Sequence, residues 1–91
     1  MSLRLTIPTA LRPITRQADV VEVEPGTVRE IIAQLDQAYP GFRSRMCEDE
    51  DKLRRFINIY VDGEDIRFLE NLSTRVRDGS ELSIILAIAG G

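Results

Sequence analysis

The group best placed for chemistry in these 91 residues is a main-chain carboxylate, that of Gly91, which follows Gly90 at the end of the stretch LAIAGG. A terminal carboxylate has a pKa of about 3.5, so at neutral pH it is an anion that nucleophiles do not attack. Acyl chemistry there requires prior conversion to an activated form such as a mixed anhydride. Neither glycine carries a Cβ, so both adopt backbone angles closed to other residues and pass where a side chain would collide. Ala87, Ile88, Ala89, Gly90 and Gly91 laid out in extended form reach roughly 17 Å, at about 3.3 to 3.6 Å per residue. The expectation is a slender, flexible tail, 87–91, that carries the reactive group at its tip. An end that merely frays is the plain alternative.

The remaining side chains offer little catalysis of their own. Histidine is absent, which removes Ser-His and Cys-His dyads, and the single cysteine, Cys47, has no second cysteine with which to form a disulfide or the usual zinc or iron-sulfur ligand set. Glu48, Asp49, Glu50 and Asp51 follow Cys47 directly, and a thiolate needs positive surroundings, so a neutral, incidental thiol is expected. The same acidic run lacks the spaced ligands and central glycine of a calcium loop and reads as a solvated segment. No catalytic residue, no metal site and no bound cofactor are expected.

Composition bounds the partners. A net charge of −3 and 43% hydrophobic residues fit one domain, 1–91, with one core, and argue against a general nucleic-acid binder. No apolar run is long enough to span a membrane and the start resembles no signal peptide, so a cytoplasmic location is expected. Arg54, Arg55, Arg67, Arg75 and Arg77 suit an ordinary solvated face.

The elements that must hold the tail are legible from periodicity. Leu3, Leu5 and Ile7 alternate with Arg4 and Thr6, and Val21 and Val23 with Glu22 and Glu24, which predicts two strands joined as a hairpin. Thr27 and Glu30 form a capping box ahead of Val28, Ile31, Ile32, Leu35 and Ala38 or Tyr39, a helical stripe closed by Pro40-Gly41. Residues 41–55 read as a loop with at most a short helical turn. Ile57, Ile59 and Val61 alternate with Phe56, Asn58 and Tyr60 up to the Asp62-Gly63 turn, after which EDIRF is expected to return as an edge strand. A final strand from about Glu81 to Ala87 presents Leu82, Ile84 and Leu86 to the core.

Hairpin, helix and further strands predict an α+β fold of β-grasp (ubiquitin-like) type: a mixed sheet of four to five strands with one main helix on one face, and the first and last strands side by side at its centre. If the last strand also neighbours the middle one, Phe56, Tyr60 and Ile85 gather on the face away from the helix, and an apolar patch there marks a surface for binding partners. Aromatic residues also simply suit strands.

Three stretches carry a resemblance: IPTALRP near the start, RFINIYVDGEDIRF in the middle and AIAGG at the end. On them the chain resembles the ThiS/MoaD family of small ubiquitin-like sulfur carriers, most closely its CysO-type branch. The resemblance implies that the carboxylate of Gly91 is adenylated by an ATP-dependent activating enzyme, converted to a thiocarboxylate and used to deliver sulfur, in the CysO branch to a cysteine synthase. The carrier is then a protein co-substrate and not an enzyme. A molybdopterin synthase subunit, a thiazole-pathway carrier, a ubiquitin-like modifier of lysines and a plain interaction domain are the other readings. The tail lacks the proline that often precedes the last residues in the molybdopterin branch.

Overall fold

The computed structural model describes residues 3–49 and 52–86. Strand β1, Leu3–Thr6, pairs antiparallel with β2, Val20–Val23, in the register Leu3 to Val23 and Leu5 to Val21. The predicted hairpin is therefore present, and its long connection is held together internally. The N–H of Ile7 donates to the Asp19 carbonyl at 2.8 Å, and the buried Thr15 hydroxyl lies within hydrogen-bonding distance of the carbonyls of Arg12 and Ala18.

A short strand β3, Gly26–Thr27, leads into α1, Val28–Ala38. The capping box is formed as predicted: the Thr27 hydroxyl accepts from the Glu30 N–H at 3.2 Å, and Glu30 Oε1 accepts from the Thr27 N–H at 2.8 Å. Gly26 makes this reciprocal pair possible, because a Cβ there would lie 2.7 Å from Glu30 Oε1. Val28, Ile31, Ile32 and Leu35 are buried along one stripe. Ala38 is exposed, and Tyr39, at the C-cap, is partly buried against the core with the Arg16 guanidinium 5.4 Å from its ring centre.

Residues 41–55 contain the short helical turn that the sequence allowed and also a small ladder where a loop was expected. Phe42–Met46 form a short helix, α2, and Cys47–Asp49 (β4) pair with Lys52–Leu53 (β5) as a small antiparallel ladder. Phe42 and Met46 are completely buried, and Cys47 and Leu53 join the same core. Two large apolar residues four apart are enough to seat one helical turn on a core that other elements have already built, yet they are too few to make a periodic signal in a charged background.

Strand β6, Ile57–Val61, turns through Asp62-Gly63 into β7, Glu64–Asp65. Asp62 and Gly63 have φ of 52° and 86°, the doubly positive pair that a two-residue hairpin turn of the primed type requires. The predicted return strand is cut short: Ile66–Phe68 turn into a 3-10 helix, a second such turn covers Asn71–Ser73, and β8, Arg75–Val76, pairs with β3. The last strand, β9, spans Leu82–Leu86.

The main sheet runs β2-β1-β9-β6-β7, with β1 and β9 parallel at its centre and the other pairs antiparallel. This is the predicted β-grasp arrangement. Leu3, Leu5, Ile57, Ile59, Val61, Leu82 and Ile84 are buried on one face. Leu5, Ile59, Leu82 and Ile84 line the same narrow interior space as the apolar stripe of α1, so the helix covers that face. With about 25 cal/mol stabilisation per Å² of apolar surface removed from water, this one layer supplies most of the driving force.

Candidate functional site

The predicted tail, Ala87, Ile88, Ala89, Gly90 and Gly91, lies outside the described residues. The structure does define where it starts. Leu86, at the end of β9, sits opposite Ile57, the first residue of β6, and is partly buried against the core. The end of β9 is thus held by the five-residue antiparallel register with β6, while the parallel pairing with β1 covers Leu82 and Ser83 at the start of that strand.

The three residues predicted to form an apolar surface are placed as follows. Ile85 is 48% exposed and faces Asn58 across the ladder, while Tyr60, half-buried, faces Ser83. Tyr60 and Ile85 are therefore diagonal neighbours on the face away from α1, a separation of about 7 to 8 Å between Cα atoms that large side chains bridge. Phe56 is 43% exposed and lies in the turn just before β6, which the Ile57 N–H closes onto the Arg54 carbonyl at 3.0 Å. Tyr60 and Ile85 share that face with Asn58 and Ser83 between them and Arg4 and Thr6 further across, whereas Phe56 precedes the ladder.

Sequence reasoning missed Phe68, which is 85% exposed, and Leu69 beside it at 39%. As an extended strand, 64–68 would put Ile66 and Phe68 on one face. In the 3-10 turn residues three apart share a side instead, so Ile66 is buried while Phe68 turns to solvent. The Asp65 carboxylate starts this turn by accepting from the Arg67 N–H at 2.9 Å, a local signal visible in the Asp-x-Arg spacing only in retrospect.

Cys47 is buried, and burial first of all pushes its thiol pKa up; Asp49 adds to this, while Arg43, Arg54 and Arg29 act in the opposite direction. The expected neutral thiol stands, but desolvation rather than the neighbouring acids is its main cause. In the acidic run Glu48 pairs with Lys52 at 3.4 Å, and both are exposed; Glu50 and Asp51 lie outside the described residues. Among the described residues no cluster of three or more His, Cys, Asp or Glu side chains is arranged to hold a metal, and no helix is long and apolar enough to cross a membrane.

Two arginines depart from the solvated-face expectation. Arg54 donates from Nε and Nη2 to the Ser44 carbonyl at 3.1 and 2.8 Å, tying α2 to the turn before β6. Arg67 reaches back over the start of β6, donating to the Asn58 side chain and to the Ile57 carbonyl.

The ThiS family model matches residues 5–91. The chain belongs to the ThiS family. It is 39% identical to the sulfur carrier protein CysO of Mycobacterium tuberculosis, with all of both chains covered, and 33% identical over all of both chains to a putative sulfur carrier protein of Archaeoglobus fulgidus. Among solved structures, the Amycolatopsis orientalis BexX/CysO complex contains a chain that superposes with a TM-score of 0.88 at 43% identity, covering 97% of this chain and 98% of that one. The ThiS family assignment and the β-grasp topology agree with each other, and the match extends through Gly90 and Gly91.

Proposed function

We propose that this ThiS family protein is a sulfur carrier and a co-substrate of other enzymes, with Gly91 as the carrier residue. The observation that carries the reading is the relation to CysO over the full length of both chains, glycines included. The carboxylate oxygen of Gly91 attacks the α-phosphorus of ATP on an activating enzyme; pyrophosphate leaves and an acyl-adenylate forms. A sulfide-level nucleophile then attacks the acyl carbon, AMP leaves with the former carboxylate oxygen, and a thiocarboxylate remains. This chain contributes no acid, base or cofactor to either step, so its task is presentation. In this reading Gly90 and Ala89, with no side chain or only a methyl group, keep the chain narrow behind the reacting carbon, and Ile88 and Ala87 join them in sequence to Leu86. Phe56, Tyr60 and Ile85 are the surface on which the activating enzyme rests.

The sulfur acceptor in this reading is a cysteine synthase, which is what the resemblance to the CysO branch implies. Mass spectrometry tests the reading: after incubation with the activating enzyme, ATP and sulfide, the protein gains the mass of one oxygen-to-sulfur exchange, located at Gly91 by fragmentation. An unchanged mass rejects it. Adducts to lysines that survive thiol and hydroxylamine treatment would point instead to a modifier.

A further inference from the structure

The β6 strand has an incomplete edge. β7 pairs only with Tyr60 and Val61, so among the described residues Ile57, Asn58 and Ile59 have no strand on that side. Uncovered strand edges fray or attract other strands unless something occupies them. Arg67, in the 3-10 turn that replaces the rest of β7, occupies this one. Its Nη2 donates to the Ile57 carbonyl at 2.8 Å and lies 3.5 Å from the Arg54 carbonyl, its Nη1 donates to Asn58 Oδ1, and the Asp65 carboxylate stands 3.8 Å away. Three acceptors within residues 54–58 are held by one planar group, which is the geometry a guanidinium fork provides and an ammonium does not. The residues gripped are those that carry the end of β9: Ile57 faces Leu86 and Asn58 faces Ile85.

The geometry points to Arg67 as a positioning residue that fixes the place and direction from which residues 87–91 are presented, acting through β6. The inference rests on the carrier reading of Gly91 and adds to it a residue that never approaches the reacting carbon. When the end of β9 frays, the point from which the tail starts is no longer held at a fixed place relative to the sheet face, so the rate of adenylation should fall while docking through that face persists. Misplacement by about 1 Å costs up to about a hundredfold in rate when a reacting group is held away from its partner.

The test compares Arg67→Ala and Arg67→Lys with the wild-type chain in thiocarboxylate formation, alongside amide hydrogen exchange. Both variants are expected to lower kcat by about tenfold or more with KM little changed, and to speed exchange at Ile57, Ile85 and Leu86 while Leu5 and Ile31 keep their protection. The lysine variant keeps the charge and guards against a general loss of folding in the alanine one. Full activity in Arg67→Lys, a change confined to KM, or unaltered exchange at Ile85 and Leu86 overturns the inference. Failure of the wild-type chain to acquire sulfur overturns the carrier reading instead, and is recognised because Arg67 is then intact.

Discussion

Gly91 and Cys47 are the two residues at which acyl or sulfur chemistry would be sought, and the carrier reading uses only the first. The Cys47 thiol is closed off by the core and has its pKa raised, so the carrier reading gives it no part. It should react with iodoacetamide far more slowly in the native protein than in urea, and Cys47→Ala should load sulfur at the wild-type rate. Deletion of Gly91 should abolish loading and leave the melting temperature unchanged, since glycine has no side chain to bury. Calorimetry and mass spectrometry on the same sample check both halves of that statement. Glu30 offers a pH-dependent counterpart. Its carboxylate is held below the ordinary glutamate pKa first by the backbone N–H of Thr27, then by the Thr27 hydroxyl, with Arg75 adding to the effect. A depressed native pKa means that the stabilisation is present above the unfolded-state value, about 4.3, and is lost as pH falls through the native one. Glu30→Gln should therefore lower stability at neutral pH and change it little well below the native pKa, which flattens the acid limb of stability in urea unfolding followed across pH.

At the scale of elements, the connections are what set the tail's base. Thr27 starts α1, and Thr27→Ala should cost about 1 kcal/mol in urea unfolding by leaving the Glu30 N–H without its partner. The Asp62-Gly63 turn fixes the register of β6 and also reaches β9: the Asp62 N–H donates to the Glu81 carbonyl at 2.8 Å, and the Glu81 N–H donates to Asp62 Oδ1 at 2.9 Å. One aspartate thus sets both a hairpin and the start of the strand that precedes the tail. Asp-Gly announced the hairpin in the sequence, because only a few residues accept two successive positive φ values. The link to Glu81 had no such signature, since it joins residues nineteen positions apart. For the same reason Arg67 read as a surface cation: nothing local marks an acceptor on another strand.

For the molecule as a whole, one buried layer between sheet and helix has to keep five strands in register under a short chain. Leu35→Ala should destabilise by about 2 to 5 kcal/mol, as for other fully buried leucines, with denaturant unfolding as the measure. The outward face answers differently. Ile85→Asp should leave unfolding almost untouched, because the side chain is half in water, yet raise KM for the activating enzyme if that face is its resting place. Phe68 and Leu69 extend the exposed apolar surface on the 3-10 turn that carries Arg67.

What the sequence determined alone was whatever rests on neighbours in the chain. Period-two alternation in 3–7 and 57–61, the capping box at Thr27 and Glu30, and the turn at Asp62-Gly63 are each encoded within a few residues, and together they restrict the order of elements enough to imply the β-grasp sheet. Tertiary structure decided what depends on distant residues. It seated Phe42 and Met46 on a core made elsewhere, shortened β7 so that Phe68 faced water, and set Arg67 on the edge of β6. Those outcomes follow from the burial and hydrogen bonds that remain available once the sheet exists, and no local pattern encodes them.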